Sequence, residues 1–378
     1  MVHAFHRLAM IGTSALFAIT TAACAQDQEV NDSQIMVGGL ARDADRPLEA
    51  IPGVASHYGM VETSDGARLR TIITQPENTS TALHPIIFTQ WVSCGSVEYR
   101  DGGSRGILGK LAMQSGLSLL RVERSSDGDS QGPACDELDY DTEVAHYVEA
   151  YDALLKDTRI NASKVYVYGS SLGSTTAPLV AQALQKKGYD IAGIAVQGGG
   201  AETYLERMVT FDRQYLERRP EEVAPLEIHD EMNRRIKFHY EYLINDRDPD
   251  EIAADSAEMA AARAGIRGMQ DGAHYGRPYA WHQQAAKQNF LAAWAELDAS
   301  VLVIFNEFDQ FEAQYGHQVI ADMVNRLRPG TASFVVQENI GHSNDRFATI
   351  EDAYVWRDGE PAWEQTANVI LTWLNQQE

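Results

Sequence analysis

Positive charge is scarce in this chain. Lysine and arginine total 31 against 54 aspartates and glutamates over 378 residues, a formal net charge of −23. That balance excludes binding to nucleic acid or to an anionic membrane surface by bulk electrostatics. Its ordinary meaning is solubility. Cysteine is scarcer still, at 3, and the 11 histidines are scattered. No ligand set of metal-site spacing emerges, so neither a metal nor a cofactor is expected. Apolar runs of bilayer length are missing too: residues 8–20 are apolar but too short to span, and no other segment qualifies. Internal repeats and low-complexity tracts are also lacking. What is present is globular, with 44% hydrophobic residues. That is core enough for one large α/β domain with an insertion, or for two small domains.

The apolar stretch 8–20 follows Arg7 and runs into Thr21-Ala22-Ala23-Cys24-Ala25. This pattern is expected for a signal peptide over residues 1–25. Ala23-Cys24-Ala25 fits ordinary cleavage between small residues. Ala22-Ala23-Cys24 fits a lipobox with a lipid anchor at Cys24, although Thr21 stands where leucine is usual. Both processing routes stay open. Either makes the chain exported, periplasmic or secreted, and leaves Cys94 and Cys135 as an even pair in an oxidising compartment. A disulfide is expected there; two small buried thiols are the alternative.

From 26 to 56 the chain is polar and reads as a linker or as an arm lying on the domain. Residues 57–63 and 67–74 alternate about Ser64-Asp65-Gly66, the signature of a hairpin. Buried strands are predicted at 84–89, 117–122, 165–168 and 191–196. Helical stretches lie between them, notably 141–155 with Val144, Tyr147, Val148, Tyr151 and Leu154 on one face. The alternation stops at 202–297, which is charged and helical in texture with no convincing strand. It resumes with strands at 301–305 and 332–336 and a final helix at 363–374. Such alternation argues a doubly wound, mostly parallel sheet built from right-handed crossovers. Its core is 57–201 with 298–378, and 202–297 is a helical insertion.

The chemistry concentrates on Gly169-Ser170-Ser171-Leu172-Gly173, between a buried strand and a helix. A serine hydroxyl needs a histidine base, itself oriented by a carboxylate. Asp309 follows the strand ending near Phe305, and His342 follows the strand ending near Val336. Ser171, Asp309 and His342 therefore stand in nucleophile, acid, base order, each beyond the carboxyl end of a strand. Glu307 and Glu312 compete for the acid's role, and His317 and His282 are weaker bases inside predicted helices. Two backbone N–H groups must meet the developing oxyanion. Leu172 supplies one; Val92 or Trp91, in the loop after the 84–89 strand, supplies the other.

Taken with Arg121-Val122-Glu123-Arg124, Gly128-Asp129-Ser130-Gln131-Gly132, Asn306-Glu307-Phe308-Asp309 and Gly341-His342, this elbow resembles α/β-hydrolase fold serine hydrolases. The likeness is to the exported branch related to serine aminopeptidases and to acyl-peptidase or cocaine-esterase-like enzymes, and it runs from about His57 to the C-terminus. Three positions depart from that pattern: Gln90-Trp91 replaces His-Gly, Asn306 replaces a glycine, and Ser170 replaces a histidine. In this resemblance 202–297 occupies the position of the cap, and its aromatic residues either line the substrate pocket or simply pack the helices together; Tyr279 and Trp281 are the pocket candidates, with Trp91 on the sheet side. Arg207, Arg213 and Arg277 are candidates for holding a substrate carboxylate, with solvated or paired surface arginines, given the many acidic neighbours, as the favoured alternative. The resemblance implies an esterase with an acyl-enzyme intermediate acting on a small ester. A peptidase or acyl-aminopeptidase taking short peptides, or a catalytically silent binding protein of the same fold, are the other readings.

Overall fold

A computed structural model describes residues 34–43, 45–218 and 223–377. The expected signal peptide and Cys24 lie outside the described residues. The central sheet contains strands β1 (Val54–Glu62), β2 (Arg68–Pro76), β3 (Pro85–Thr89), β4 (Ser118–Val122) and β5 (Val165–Ser170). It continues with β6 (Ile191–Gln197), β7 (Ser300–Phe308), β8 (Ala332–Gly341), β9 (Asp345–Arg346) and β10 (Glu360–Pro361). Their spatial order is β10-β9-β8-β7-β6-β5-β3-β4-β2-β1. From β8 to β4 every pairing is parallel; β1, β2, β9 and β10 add antiparallel edges.

The period-2 alternation of the strands feeds two cores. Ile86, Phe88, Leu302 and Ile304 pack against helices α1 (Gly103–Gln114) and α11 (Trp363–Leu374). Ile87, Val167, Val301 and Val303 face the opposite layer. That layer holds α2 (Tyr140–Leu154), α3 (Gly173–Lys186) and α10 (Gln314–Leu327).

Between β6 and β7 lie α4 (Tyr204–Arg218), α5 (Pro225–His239), α6 (Pro249–Ala254), α7 (Ala257–Gly265), α8 (Tyr279–Ala286) and α9 (Phe290–Glu296). A π-helical turn, Tyr240–Ile244, follows α5. The insertion is not wholly helical. Met269–Gln270, Ala273–His274 and Arg277–Pro278 form a small antiparallel ribbon. Strands of two residues are too short to show any alternation, which is why sequence periodicity passes over them.

Two strands run further than their apolar runs suggest. β7 continues through Asn306 to Phe308, and β8 continues to Gly341 across a register shift. Their polar ends stay in the sheet because they bond one another. Gln337 Nε2 donates to Asn306 Oδ1 at 2.8 Å, and Asn306 Nδ2 donates to the Gly341 carbonyl at 2.8 Å. Before β1, a hairpin of Gln34–Val37 with Leu40–Asp43 lies on the domain. It is fastened by buried Arg42, which pairs with Glu98 at 2.7 Å and Asp129 at 2.9 Å.

Candidate active site

Ser171 sits in the turn from β5 to α3 with φ +54°, a left-handed conformation rare for any residue but glycine. The turn is crowded on both sides. A Cβ at Gly169 would lie 2.7 Å from the Gly173 carbonyl oxygen, and one at Gly173 would lie 2.1 Å from that of Thr89. No larger residue fits either position, which explains the spacing of the motif. The Ser171 N–H donates to the Gln197 carbonyl at 2.7 Å, fixing the elbow to β6.

The Ser171 hydroxyl lies 2.7 Å from His342 Nε2. His342 Nδ1 lies 2.8 and 2.9 Å from the two carboxylate oxygens of Asp309. With Nδ1–H donating to the carboxylate, Nε2 is left to accept the serine proton. Asp309 is buried and is itself held by the N–H groups of Phe311 and Glu312, at 2.8 and 3.0 Å. The His342 N–H donates to Gln310 Oε1 at 2.9 Å.

The competing carboxylates are occupied elsewhere. Glu307 accepts from the Asn339 N–H at 2.8 Å, and Glu312 lies 3.2 Å from Arg207. Neither His317 nor His282 reaches the serine: His317 Nδ1 bonds the Ala313 carbonyl, and His282 bonds Tyr204 and the His274 carbonyl. Burial lowers the pKa of both.

A cavity of about 410 Å³ opens over Ser171 and His342. Leu172, Trp91 and Val92 line it, and among the described residues their backbone N–H groups carry no hydrogen bond. Its apolar wall is Phe211, Tyr275, Phe311 and Trp356. Phe311 stacks on Phe211 with centroids 5.1 Å apart, and its ring lies 4.7 Å from that of His342. Phe311 and Trp356 come from loops of the sheet domain, where no periodicity marks a side chain as inward.

Tyr279 and Trp281 do not line this cavity. Trp281 is buried edge-on against Tyr140 and donates its indole N–H to Glu143 at 2.9 Å. Tyr279 spends its hydroxyl on Gln270 and Gly272. A buried indole N–H or phenol needs a polar partner, and both found theirs inside the protein rather than facing substrate.

The arginines divide similarly. Arg277 is buried against Glu143, and Arg213 is exposed near Glu217. Arg207 lines the cavity but is shared between Glu312 and, at 4.0 Å, Glu202. Burial drives the Glu312 carboxyl well above its ordinary range; Arg207 opposes the shift, while Glu202 and Asp309 reinforce it.

A disulfide joins Cys94 to Cys135 across Cα atoms 5.9 Å apart. It tethers the loop after β3, which Arg124 grips through the carbonyls of Gln90, Trp91 and Ser93. Arg124 is in turn paired with Glu143 at 2.6 Å.

No protein-family model and no curated protein matches the chain. Solved structures do. An esterase of Pyrococcus furiosus superposes with a TM-score of 0.51 at 11% identity, covering 85% of this chain and 91% of that one. A Pyrobaculum calidifontis esterase gives 0.51 at 16%, covering 87% and 86%. Est1E of Butyrivibrio proteoclasticus, with ferulic acid bound, gives 0.52 at 12%, covering 85% and 98%. The chain has the α/β-hydrolase fold. Within it, Ser171 lies in the turn between β5 and α3, and α4–α9 lie between β6 and β7.

Proposed function

We propose that the chain is a serine hydrolase cleaving small carboxylic esters through an acyl-enzyme on Ser171. The observation that carries this reading is the 2.7 Å contact between the Ser171 hydroxyl and His342 Nε2, backed by Asp309 on Nδ1. His342 takes the serine proton as Oγ attacks the ester carbonyl, and the imidazolium is stabilised by Asp309. The tetrahedral oxyanion is met by the N–H of Leu172 with that of Trp91 or Val92. Collapse expels the alcohol, which takes its proton from His342. Water then attacks the acyl-enzyme with His342 again as base, releasing the acid and restoring Ser171.

The apolar wall of Phe211, Tyr275 and Phe311 suits an acyl or aryl group of modest size, and the cavity volume is in the range of small-molecule sites. The esterases among the structural neighbours support ester over amide chemistry. Export through residues 1–25 belongs to the same reading; a disulfide between Cys94 and Cys135 supports an oxidising destination. The test is a panel of nitrophenyl esters of graded acyl length set against aminoacyl anilides, using purified mature protein. Ester turnover with little anilide turnover is expected. Faster anilide turnover would instead mark a peptidase.

A further inference from the structure

Two arginines line the cavity over Ser171, and their circumstances differ. Arg207 faces Glu312 and Glu202. Arg105, in the first turn of α1, has no carboxylate within ion-pair distance among the described residues. Its guanidinium is nevertheless firmly placed. Nε and Nη2 both donate to the Ser96 carbonyl, at 3.0 and 2.7 Å, and the group lies 4.8 Å from the centroid of the Trp91 ring. Nη1 carries no hydrogen bond among the described residues.

Partial burial and the neighbouring charge of Arg100 make the Arg105 cation less stable than a free one. Glu123 and Asp127 act on it only from a distance, and burial raises both of those carboxyls, Glu123 to about 7. A cation held rigid, half-desolvated and without a counter-ion, beside a nucleophile in a chain of net charge −23, is incomplete in the free protein. An anionic oxygen on the substrate would complete it.

We propose that Arg105 is a specificity-determining residue, and that the preferred substrates are esters carrying a free carboxylate, which pairs with the unoccupied edge of its guanidinium. Trp91 and Ser96 hold the fork in place, so little side-chain entropy is lost on binding. The inference rests on the ester-hydrolase reading for its substrate chemistry, and the test separates the two.

Ser171→Ala protein, which forms no acyl-enzyme, is titrated by calorimetry with two acids and with the methyl ester of each. Monobenzyl glutarate carries its carboxylate on the acyl side; the butyrate ester of 4-hydroxymethylbenzoate carries it on the alcohol side. At least one acid is expected to bind roughly 10- to 100-fold more tightly than its methyl ester, as a charged hydrogen bond allows. Arg105→Gln in the same background should abolish that preference, and Arg105→Lys, which keeps the charge but not the fork, should retain part of it. Equal binding of acids and methyl esters, or a preference that survives Arg105→Gln, overturns the proposal. Turnover by protein with Ser171 intact reports separately on the ester reading. Hydrolysis of neutral esters with no acid preference in binding sinks only the Arg105 inference. Acid-selective binding lost in Arg105→Gln, without hydrolysis of any ester, sinks only the ester reading.

Discussion

The Trp281 indole N–H donates to Glu143 at 2.9 Å, inside a buried group that also holds Arg124 and Arg277. One carboxylate thus joins the insertion between β6 and β7, through α8 and the ribbon, to the loop that forms a wall of the cavity. Glu143 needs these partners: burial alone would raise its pKa, but Arg124 and Arg277 hold it below the ordinary value.

The two kinds of aromatic residue in the insertion should therefore respond differently to mutation. Trp281→Phe removes one hydrogen bond to a buried carboxylate and should cost about 1–3 kcal/mol in urea unfolding. Its order of preference among acyl chain lengths should match the wild type. Phe211→Ala opens the cavity wall beside Phe311 and should shift that preference toward bulkier acyl groups by about 1–3 kcal/mol in relative kcat/KM. The ester series on both variants checks this. A changed profile in Trp281→Phe with an unchanged one in Phe211→Ala would reverse the assignment.

Glu123 gives a pH test. Burial pushes its carboxyl up to about 7, against hydrogen bonds from Ser96 and the Asp129 N–H that pull it down. The folded state therefore holds a proton that the unfolded chain releases near 4.5. The stability this contributes is present below pH 4.5 and lost as pH rises through 7. Glu123→Gln keeps an acceptor for the Asp129 N–H and removes the titration. Relative to wild type, the variant should gain roughly 2–3 kcal/mol between pH 4.5 and 8. Urea denaturation of both proteins at pH 5 and 8 measures the difference; a constant offset across that range would contradict the account.

The Cys94–Cys135 bridge spans 41 residues of sequence. Replacing both cysteines with serine should lower stability by about 4 kcal/mol on the chain-entropy account. Because the bridge tethers the loop carrying Trp91 and Val92, kcat should fall in the same variant. Peptide mapping of non-reduced protein should recover the cross-linked pair.

Much of the site was legible in the chain because it depends on local constraints. The glycines at 169 and 173 must lack side chains for the Ser171 turn to close. Asp309 and His342 follow strands whose apolar runs announce them. The insertion was less legible. Aromatic residues on its helices serve both packing and the cavity, and composition does not distinguish Tyr204 and Phe211, which line the cavity, from Tyr279 and Trp281, which do not. Phe311 and Trp356 were missed because loop residues have no period. The ends of β7 and β8 were missed because Asn306 and Gln337 remain in the sheet only through hydrogen bonds to residues distant in sequence.

The central claim is that His342 activates Ser171, and a fluorophosphonate probe tests it most directly, since only an activated serine attacks that phosphorus readily. The mature wild-type protein should be labelled stoichiometrically, with tandem mass spectrometry placing the adduct on Ser171. Ser171→Ala should take up no label, and its ester hydrolysis should fall by about 10⁴-fold or more. Labelling that persists in Ser171→Ala, or an adduct on any other residue of the wild type, would contradict the account.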